Sequence, residues 1–366
     1  MNRYLLCLCL GWLMLSQTLH AQVILKPGFD PVEYGQLLSL TFYGSSIPDS
    51  NQRKMVKDPY QLQYRSPETG LLNRWQFFVR NDNVGVIELR GTIQQLASWL
   101  ENFYGAMVPA KGKLQLNDST QFDYTFSEDP KAMVHVGWTI GIGHIGPAIV
   151  RKIREMYDTQ QVKEILIVGH SQGGALSQLL RSYLHYEQKA GRIPGDVFFK
   201  TYSSAAPKTG NLFYAYDFDF ITRGSWALTV VNSADWVPET PFSIQTLKDF
   251  NVTNPFTEAK PILKKQKLLV RLAGKIIYNK IDRSTRRAQK RMGKYLGPMV
   301  YKQVKQFLPQ LQQPQYAGGN NFMRAGTPVV LLADAEYYTR FPEFSQFKFS
   351  HHLYASYSYL LKKHYP

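Results

Sequence analysis

The chain has 366 residues, 44% of them hydrophobic, which is enough apolar surface for one large α/β core and gives no reason to require a second domain. Its only cysteines, Cys7 and Cys9, fall in the first 21 residues, which read as a signal segment, so disulfides, cysteine-based metal sites and cysteine nucleophiles are excluded from the remainder. The formal net charge is +16, and the stretch from Glu258 to Lys305 holds fifteen Lys or Arg against Glu258 and Asp282, so the excess is local and the rest of the chain is close to neutral.

The signal reading of residues 1–21 rests on Arg3, an apolar run from Tyr4 to Leu15, and Ala21 before Gln22. That run is shorter than the roughly 20 residues a bilayer core requires, which argues against an anchor and for export of residues 22–366 as a single domain. Asp30 as N-cap, Pro31 in the first turn and Glu33 predict a helix over 30–43. Strand-like runs follow from Trp75 to Val79 and Val84 to Leu89, ending at Arg90-Gly91-Thr92. Strands are then expected at 133–136, 164–168, 197–203, 226–231 and 328–332. Helices are expected at 144–157 and 172–188, and from about His352 to the end. This alternation predicts an α/β fold with a mostly parallel central sheet flanked by helices. The basic stretch 258–308 interrupts it; apolar residues at helical spacing (Leu268, Leu269, Leu272, Ile276; Met292, Leu296, Met299, Val300) predict two amphipathic helices forming an insertion.

Gly169-His170-Ser171-Gln172-Gly173-Gly174 stands directly after an apolar strand and directly before a helix-compatible run. By composition alone about one chain in eight of this length would contain G-x-S-x-G. The strand, turn and helix around it match the context in which the pattern forms an α/β-hydrolase nucleophile elbow. A serine hydroxyl needs a base to take its proton, and the base needs a carboxylate to fix its tautomer; in α/β-hydrolases they follow the serine in the order acid, then histidine. After Ser171 come only His185, His351, His352 and His364. His185 precedes every plausible acid and His364 lies two residues from the end, which leaves His351 or His352 as base. The acid expected at a strand end is Asp235, with Asp334 as the next candidate; Asp217 and Asp219 lie in an aromatic helical segment. Donors for a developing oxyanion are expected from the N–H of Gln172 and from the turn at Thr92, whose hydroxyl could add a bond.

The segments Glu88-Leu89-Arg90-Gly91-Thr92, Val134-His135-Val136-Gly137-Trp138, the elbow, Thr201 to Asn211 and Asp235-Trp236-Val237-Pro238 together resemble the class 3 lipase family, in its order, over roughly 75–241 and again over 326–361. The resemblance implies a serine carboxylic ester hydrolase with Ser171, Asp235 and a late histidine as triad, and Thr92 and Gln172 as oxyanion hole. His352, five residues before Tyr357, is similar to the family's pattern of a His five residues before a Tyr on the final helix, and His351, three before Tyr354, to the shorter spacing of its fungal members. Gln172 stands where Leu is commoner, and Ser203-Ser204-Ala205 replaces a Phe-Gly run. The implied substrate is a lipid acyl ester, with phospholipase A1 or feruloyl-type esterase activity as alternatives; a non-catalytic lipid- or surface-binding protein is the reading from a different class. No metal or cofactor is expected. In the family a mobile lid follows the oxyanion turn, here the apolar stretch 93–108, for which a fixed core helix is the plainer reading. The basic segment 258–308 is either a solvated helical pair, a surface for anionic membranes, or a cap over the acyl pocket; no nucleic acid is expected, since no recognised module accompanies the charge.

Overall fold

The strand Glu164–His170 is apolar throughout its centre because both of its faces are covered. Ile165 and Ile167 enter one core cluster with Ile140, Ile149, Leu176 and Leu180, while Leu166 and Val168 enter a second with Tyr34, Leu37, Leu228 and Leu360. The helices Val136–Gln160 and Gln172–Lys189 therefore cover one face of the sheet, and Pro31–Ser46 and Tyr354–His364 cover the other. This computed structural model describes residues 24–46, 56–57, 59–256, 258–344 and 346–366; the expected signal segment 1–21 lies outside them.

The strands are β1 Val56–Lys57, β2 Tyr60–Arg65, β3 Trp75–Arg80, β4 Gly85–Leu89, β5 Met107–Pro109, β6 Lys111–Asn117, β7 Thr120–Thr125, β8 Met133–His135, β9 Glu164–His170, β10 Phe198–Ser204, β11 Gly210–Asn211, β12 Ala227–Asn232, β13 Phe322–Met323 and β14 Thr327–Leu331. The main sheet runs β1-β2-β3-β4-β9-β10-β12-β14. From β4 to β14 every pairing is parallel, whereas β1 to β4 pair antiparallel as a meander on one edge. The expected α/β-hydrolase architecture is thus realised as a mixed sheet whose parallel half carries the candidate site. Parallel register, with Leu89 opposite Gly169 and His170 opposite Ser204, brings the carboxyl ends of β4, β9, β10 and β12 to one edge, where open α/β sheets bind their ligands.

Three elements differ from expectation. The helix expected to begin at His144 begins at Val136. Its first turns are rich in glycine, which by propensity reads as a breaker, but tertiary packing needs it there: a Cβ on Gly137 would collide with the carbonyl of Glu101. β2 and the β6/β7 hairpin were not anticipated, because their burial alternates with too many polar residues to stand out. The basic segment, expected as two amphipathic helices, is divided differently. A short helix Ala259–Lys264 precedes one long helix, Leu268–Lys294, which passes through a wide turn at Tyr295–Met299 into Val300–Phe307. Pro298 lies in that wide turn, where a proline can interrupt the helical hydrogen bonds without ending the helix. Among the described residues no helix is long and apolar enough to cross a membrane.

Candidate active site

β9 ends in a turn so tight that Ser171 adopts φ 62° and ψ −127°, a region that costs a non-glycine residue about 1–3 kcal/mol. The turn holds because its N–H donates to the carbonyl of Ser204 on the neighbouring strand (3.0 Å) and because residue 169 has no side chain: a Cβ on Gly169 would collide with the carbonyl of Gly173. The serine hydroxyl is thereby presented, half-exposed, above the carboxyl end of the sheet, at the N-terminus of the helix Gln172–Lys189.

Asp235 follows β12, and its carboxylate is fully withdrawn from solvent. Its Oδ1 accepts from the Val237 N–H (3.0 Å), and its Oδ2 accepts from the Tyr357 hydroxyl (2.8 Å) and from His352 Nδ1 (2.7 Å). With Nδ1 donating to a carboxylate, Nε2 of His352 is the nitrogen left to act as acceptor. Among the described residues no hydrogen bond joins His352 to Ser171 Oγ; in hydrolases this contact often tightens only with substrate in place. The adjacent His351 is turned elsewhere: its Nδ1 meets the Tyr337 hydroxyl (2.8 Å) and its carbonyl accepts from Asn232 Nδ2 (2.9 Å).

The backbone of His352 is held by the residue before the serine. His170 Nε2 donates to the His352 carbonyl (2.7 Å), and the two rings lie 4.7 Å apart. His170 Nδ1 then accepts from Ser204 Oγ (2.9 Å), which accepts from the Tyr34 hydroxyl (2.8 Å). Burial, reinforced by the neighbouring His352, holds the His170 pKa well below that of an ordinary histidine, so it stays neutral and keeps this one tautomer. Ser204 thus has a hydrogen-bonding task, linking Tyr34 to His170. Neither His170 nor Tyr34 was singled out from the sequence, though His170 stands inside the elbow itself.

Thr92 follows β4 and faces Gln172. Among the described residues neither the Thr92 N–H nor the Gln172 N–H has an acceptor, which leaves both free to receive one. The Thr92 hydroxyl, expected to add a bond to an oxyanion, instead donates to Gln172 Oε1 (2.8 Å). Asn102 completes the pair, its Nδ2 donating to Thr92 Oγ1 (2.9 Å) and to Gln172 Oε1 (3.2 Å) while its Oδ1 accepts from the Trp138 indole (3.0 Å). The Asn102 carbonyl accepts from His135 Nε2 (3.1 Å); burial pushes the His135 pKa down to about 3, so this donor is a neutral imidazole. Gln172 at a position where Leu is commoner is thus the acceptor that the Thr92 hydroxyl and the Asn102 amide share. Nothing local marks Asn102 in the sequence, where it stands among the apolar and aromatic residues of 93–108.

The stretch 93–108 forms the helix Leu96–Phe103 and then β5. Ala97, Ser98, Leu100 and Glu101 are buried, and Glu101 Oε2 accepts from Asn73 Nδ2 (2.7 Å). Burial pushes the Glu101 pKa up to about 8, against the lowering effect of its contacts with Asn73 and Gln172. A helix held by these buried polar contacts and by Asn102 matches the fixed reading better than that of a free lid. Its exposed side joins an aromatic bridge: Phe349 lies 6.0 Å from Trp99, 5.3 Å from Trp236 and 5.9 Å from His352, spanning the loops that flank the serine.

The remaining candidates lie apart from this cluster. Asp334 caps the helix Ala335–Arg340 and pairs with Lys363 (2.8 Å), Asp217 accepts from Tyr186, and Asp219 accepts from the Gly326 N–H. His185 packs on Tyr186, and His364 meets the Leu332 carbonyl. No group of three or more His, Cys, Asp or Glu suited to a metal ion occurs among the described residues.

Residues 86–245 match the family described as Lipase (class 3). Solved structures similar to the chain include a fungal lipase–inhibitor complex, at 17% identity over 58% of this chain and 73% of that one, TM-score 0.45. They also include the Rhizomucor miehei lipase with its propeptide, at 16% identity over 59% and 65%, TM-score 0.44, and lipase II from Rhizopus niveus, at 16% over 58% and 73%, TM-score 0.43. No curated protein matches the chain.

Proposed function

We propose that this chain, whose residues 86–245 match the class 3 lipase family, hydrolyses lipid acyl esters through a covalent acyl-enzyme on Ser171. The observation that carries this reading is the buried Asp235–His352 pair (2.7 Å), at the same edge of the sheet as a serine held in the strained elbow conformation. Ser171 Oγ attacks the ester carbonyl carbon and its proton passes to His352 Nε2. Asp235 keeps the ring oriented and balances the imidazolium. The Thr92 and Gln172 N–H groups donate to the oxyanion, and Asn102 holds the Thr92 turn against Gln172. As the tetrahedral intermediate collapses, the C–O bond to the alcohol breaks and the alcohol leaves with the His352 proton. A water, deprotonated by His352, then releases the acid by the same route.

The wall of Trp99, Trp236 and Phe349 offers an apolar surface to the acyl group, and with the match of residues 86–245 to the class 3 lipases it leads us to take glycerides or phospholipid acyl esters as the substrate class. The same reading takes residues 1–21 as an export signal and the basic segment 258–308 as the part that meets an anionic lipid surface. The test is acid release from p-nitrophenyl esters of graded chain length, emulsified triglyceride and phospholipid. Turnover abolished by Ser171→Ala is expected; equal turnover by that variant would overturn the proposal.

A further inference from the structure

The long helix Leu268–Lys294 has no buried residue, and its apolar side is the one turned to solvent. Leu269 is 81% exposed, and Leu268, Leu272, Ile276 and Ile277 are all about half-exposed or more. Apart from Met292, the positions partly shielded from solvent are instead small or polar, among them Gly274, Tyr278, Asp282 and Thr285. On the inner side, Leu263 packs close to Gly274, and the Tyr278 hydroxyl donates to the Phe256 carbonyl (3.5 Å). A helix on a soluble globule turns its apolar stripe to the core. An outward one marks a surface that meets something apolar.

At 3.6 residues per turn, Leu268, Leu272, Ile276, Arg283, Arg286, Lys290 and Lys294 lie on one stripe. This stripe is apolar in its first half and cationic in its second. The helix carries nine Lys or Arg against Asp282 alone, so whatever it meets is anionic. A nucleic acid would satisfy the charge but leave the Leu and Ile side chains wet, whereas a bilayer surface offers both acyl chains and anionic head groups. From the wide turn at Tyr295–Met299 onward the chain is fastened to the body of the protein. The Leu296 carbonyl accepts from the Ala106 N–H (3.2 Å), and Val304 is fully buried. Ala106 closely follows the helix Leu96–Phe103, whose Asn102 holds the oxyanion turn.

We propose that Leu268–Lys294 is an interfacial anchor lying on an anionic phospholipid bilayer, its apolar first half among the acyl chains and its cationic second half on the head groups. The anchor gives the lipid-esterase reading a means of delivery and rests on that reading for its purpose, but its physical basis is independent of it.

The test uses the full chain carrying Ser171→Ala, so that binding is read without hydrolysis, and co-sedimentation with vesicles of phosphatidylglycerol and phosphatidylcholine or of phosphatidylcholine alone. Partition is expected to be at least about a hundredfold higher on the anionic vesicles, the preference that the cations supply. Replacing Arg283, Arg286, Arg287, Lys290, Arg291 and Lys294 by Gln is expected to lower it at least about a hundredfold, since each cation near such a surface counts for roughly a factor of five. Leu269→Ser with Ile276→Ser leaves the charge unchanged and is expected to lower partition about tenfold or more. Far-UV circular dichroism and thermal melting check that each variant is folded. Equal partition on both vesicle types, or partition indifferent to the Leu269 and Ile276 changes, overturns the proposal, as does tighter binding to duplex DNA that ignores those two changes. Hydrolysis of a soluble ester by the unsubstituted chain is read separately, so a failed anchor and a failed esterase give different results.

Discussion

Asn102 ties three elements to one another, and its removal has consequences that follow from its bonds. In Asn102→Ala the donations to Thr92 Oγ1 (2.9 Å) and Gln172 Oε1 (3.2 Å) are lost, and the Trp138 indole N–H, within a side chain only 1% exposed, is left without its acceptor. Two net hydrogen bonds near 1 kcal/mol each and one orphaned buried donor at 1–3 kcal/mol give a stability loss of about 3–5 kcal/mol. Thr92 would then be free to turn its N–H away from the oxyanion. Complete loss of one oxyanion donor costs 10²–10³ in turnover, and loosening one should cost less, about 10–100-fold in kcat. The variant Asn102→Asp separates the two effects: it keeps the acceptor for Trp138 but has no N–H for Thr92 or Gln172. Expected is a kcat loss in both variants with KM little changed on a soluble butyrate ester, and a smaller loss of thermal stability in Asn102→Asp than in Asn102→Ala. A folded Asn102→Ala protein with unchanged kcat would refute the positioning argument.

Glu101 has its folded pKa raised from 4.5 to about 8 by burial, so the unfolded chain releases this proton at lower pH than the folded one. The contribution is therefore full below about pH 4.5 and drains as pH rises towards 8, by up to about 1.4 kcal/mol per pH unit. Glu101→Gln should flatten the melting temperature across that window and exceed the parent above it; an unchanged pH profile would contradict the assignment. Tyr357→Phe removes a bond to the buried Asp235 carboxylate (2.8 Å) and should cost about 1.5–3 kcal/mol, read as roughly tenfold or more in kcat/KM with the fold retained. Phe349→Ala breaks the aromatic bridge between Trp99 and Trp236 and should shift the ratio of octanoate to butyrate ester turnover; an unaltered chain-length profile would remove Phe349 from the acyl path.

The legible parts of the chain were those whose local pattern and tertiary role coincide. β9, the elbow and the following helix read directly, because a strand covered on both faces is a continuous apolar run and the turn after it tolerates few side chains. The meeting of Asp235 and His352 lies 117 residues apart in sequence, and chain order narrowed it to two adjacent histidines without separating them. What separates their surroundings is packing: His351 faces Tyr337, while His352 faces Asp235 and Tyr357. The first turns of the helix Val136–Gln160 were hidden because close packing on Glu101 selects glycine against its own propensity. Asn102, His170 and Tyr34 were hidden because nothing local marks a polar side chain whose partners come from distant elements. The basic segment was read as amphipathic and is so, but which side faces outward is a property of the fold that periodicity does not carry.

The assignment of Ser171 as acylated nucleophile and of His352 as its base is tested most sharply by covalent labelling. The folded chain is incubated with a fluorophosphonate, and the modified peptide is identified by mass spectrometry in the parent and in the variants His351→Ala and His352→Ala. A phosphonyl adduct on Ser171 is expected, retained in His351→Ala and slowed by several orders of magnitude in His352→Ala. No adduct on the folded parent, or labelling that depends on His351 and ignores His352, would contradict it.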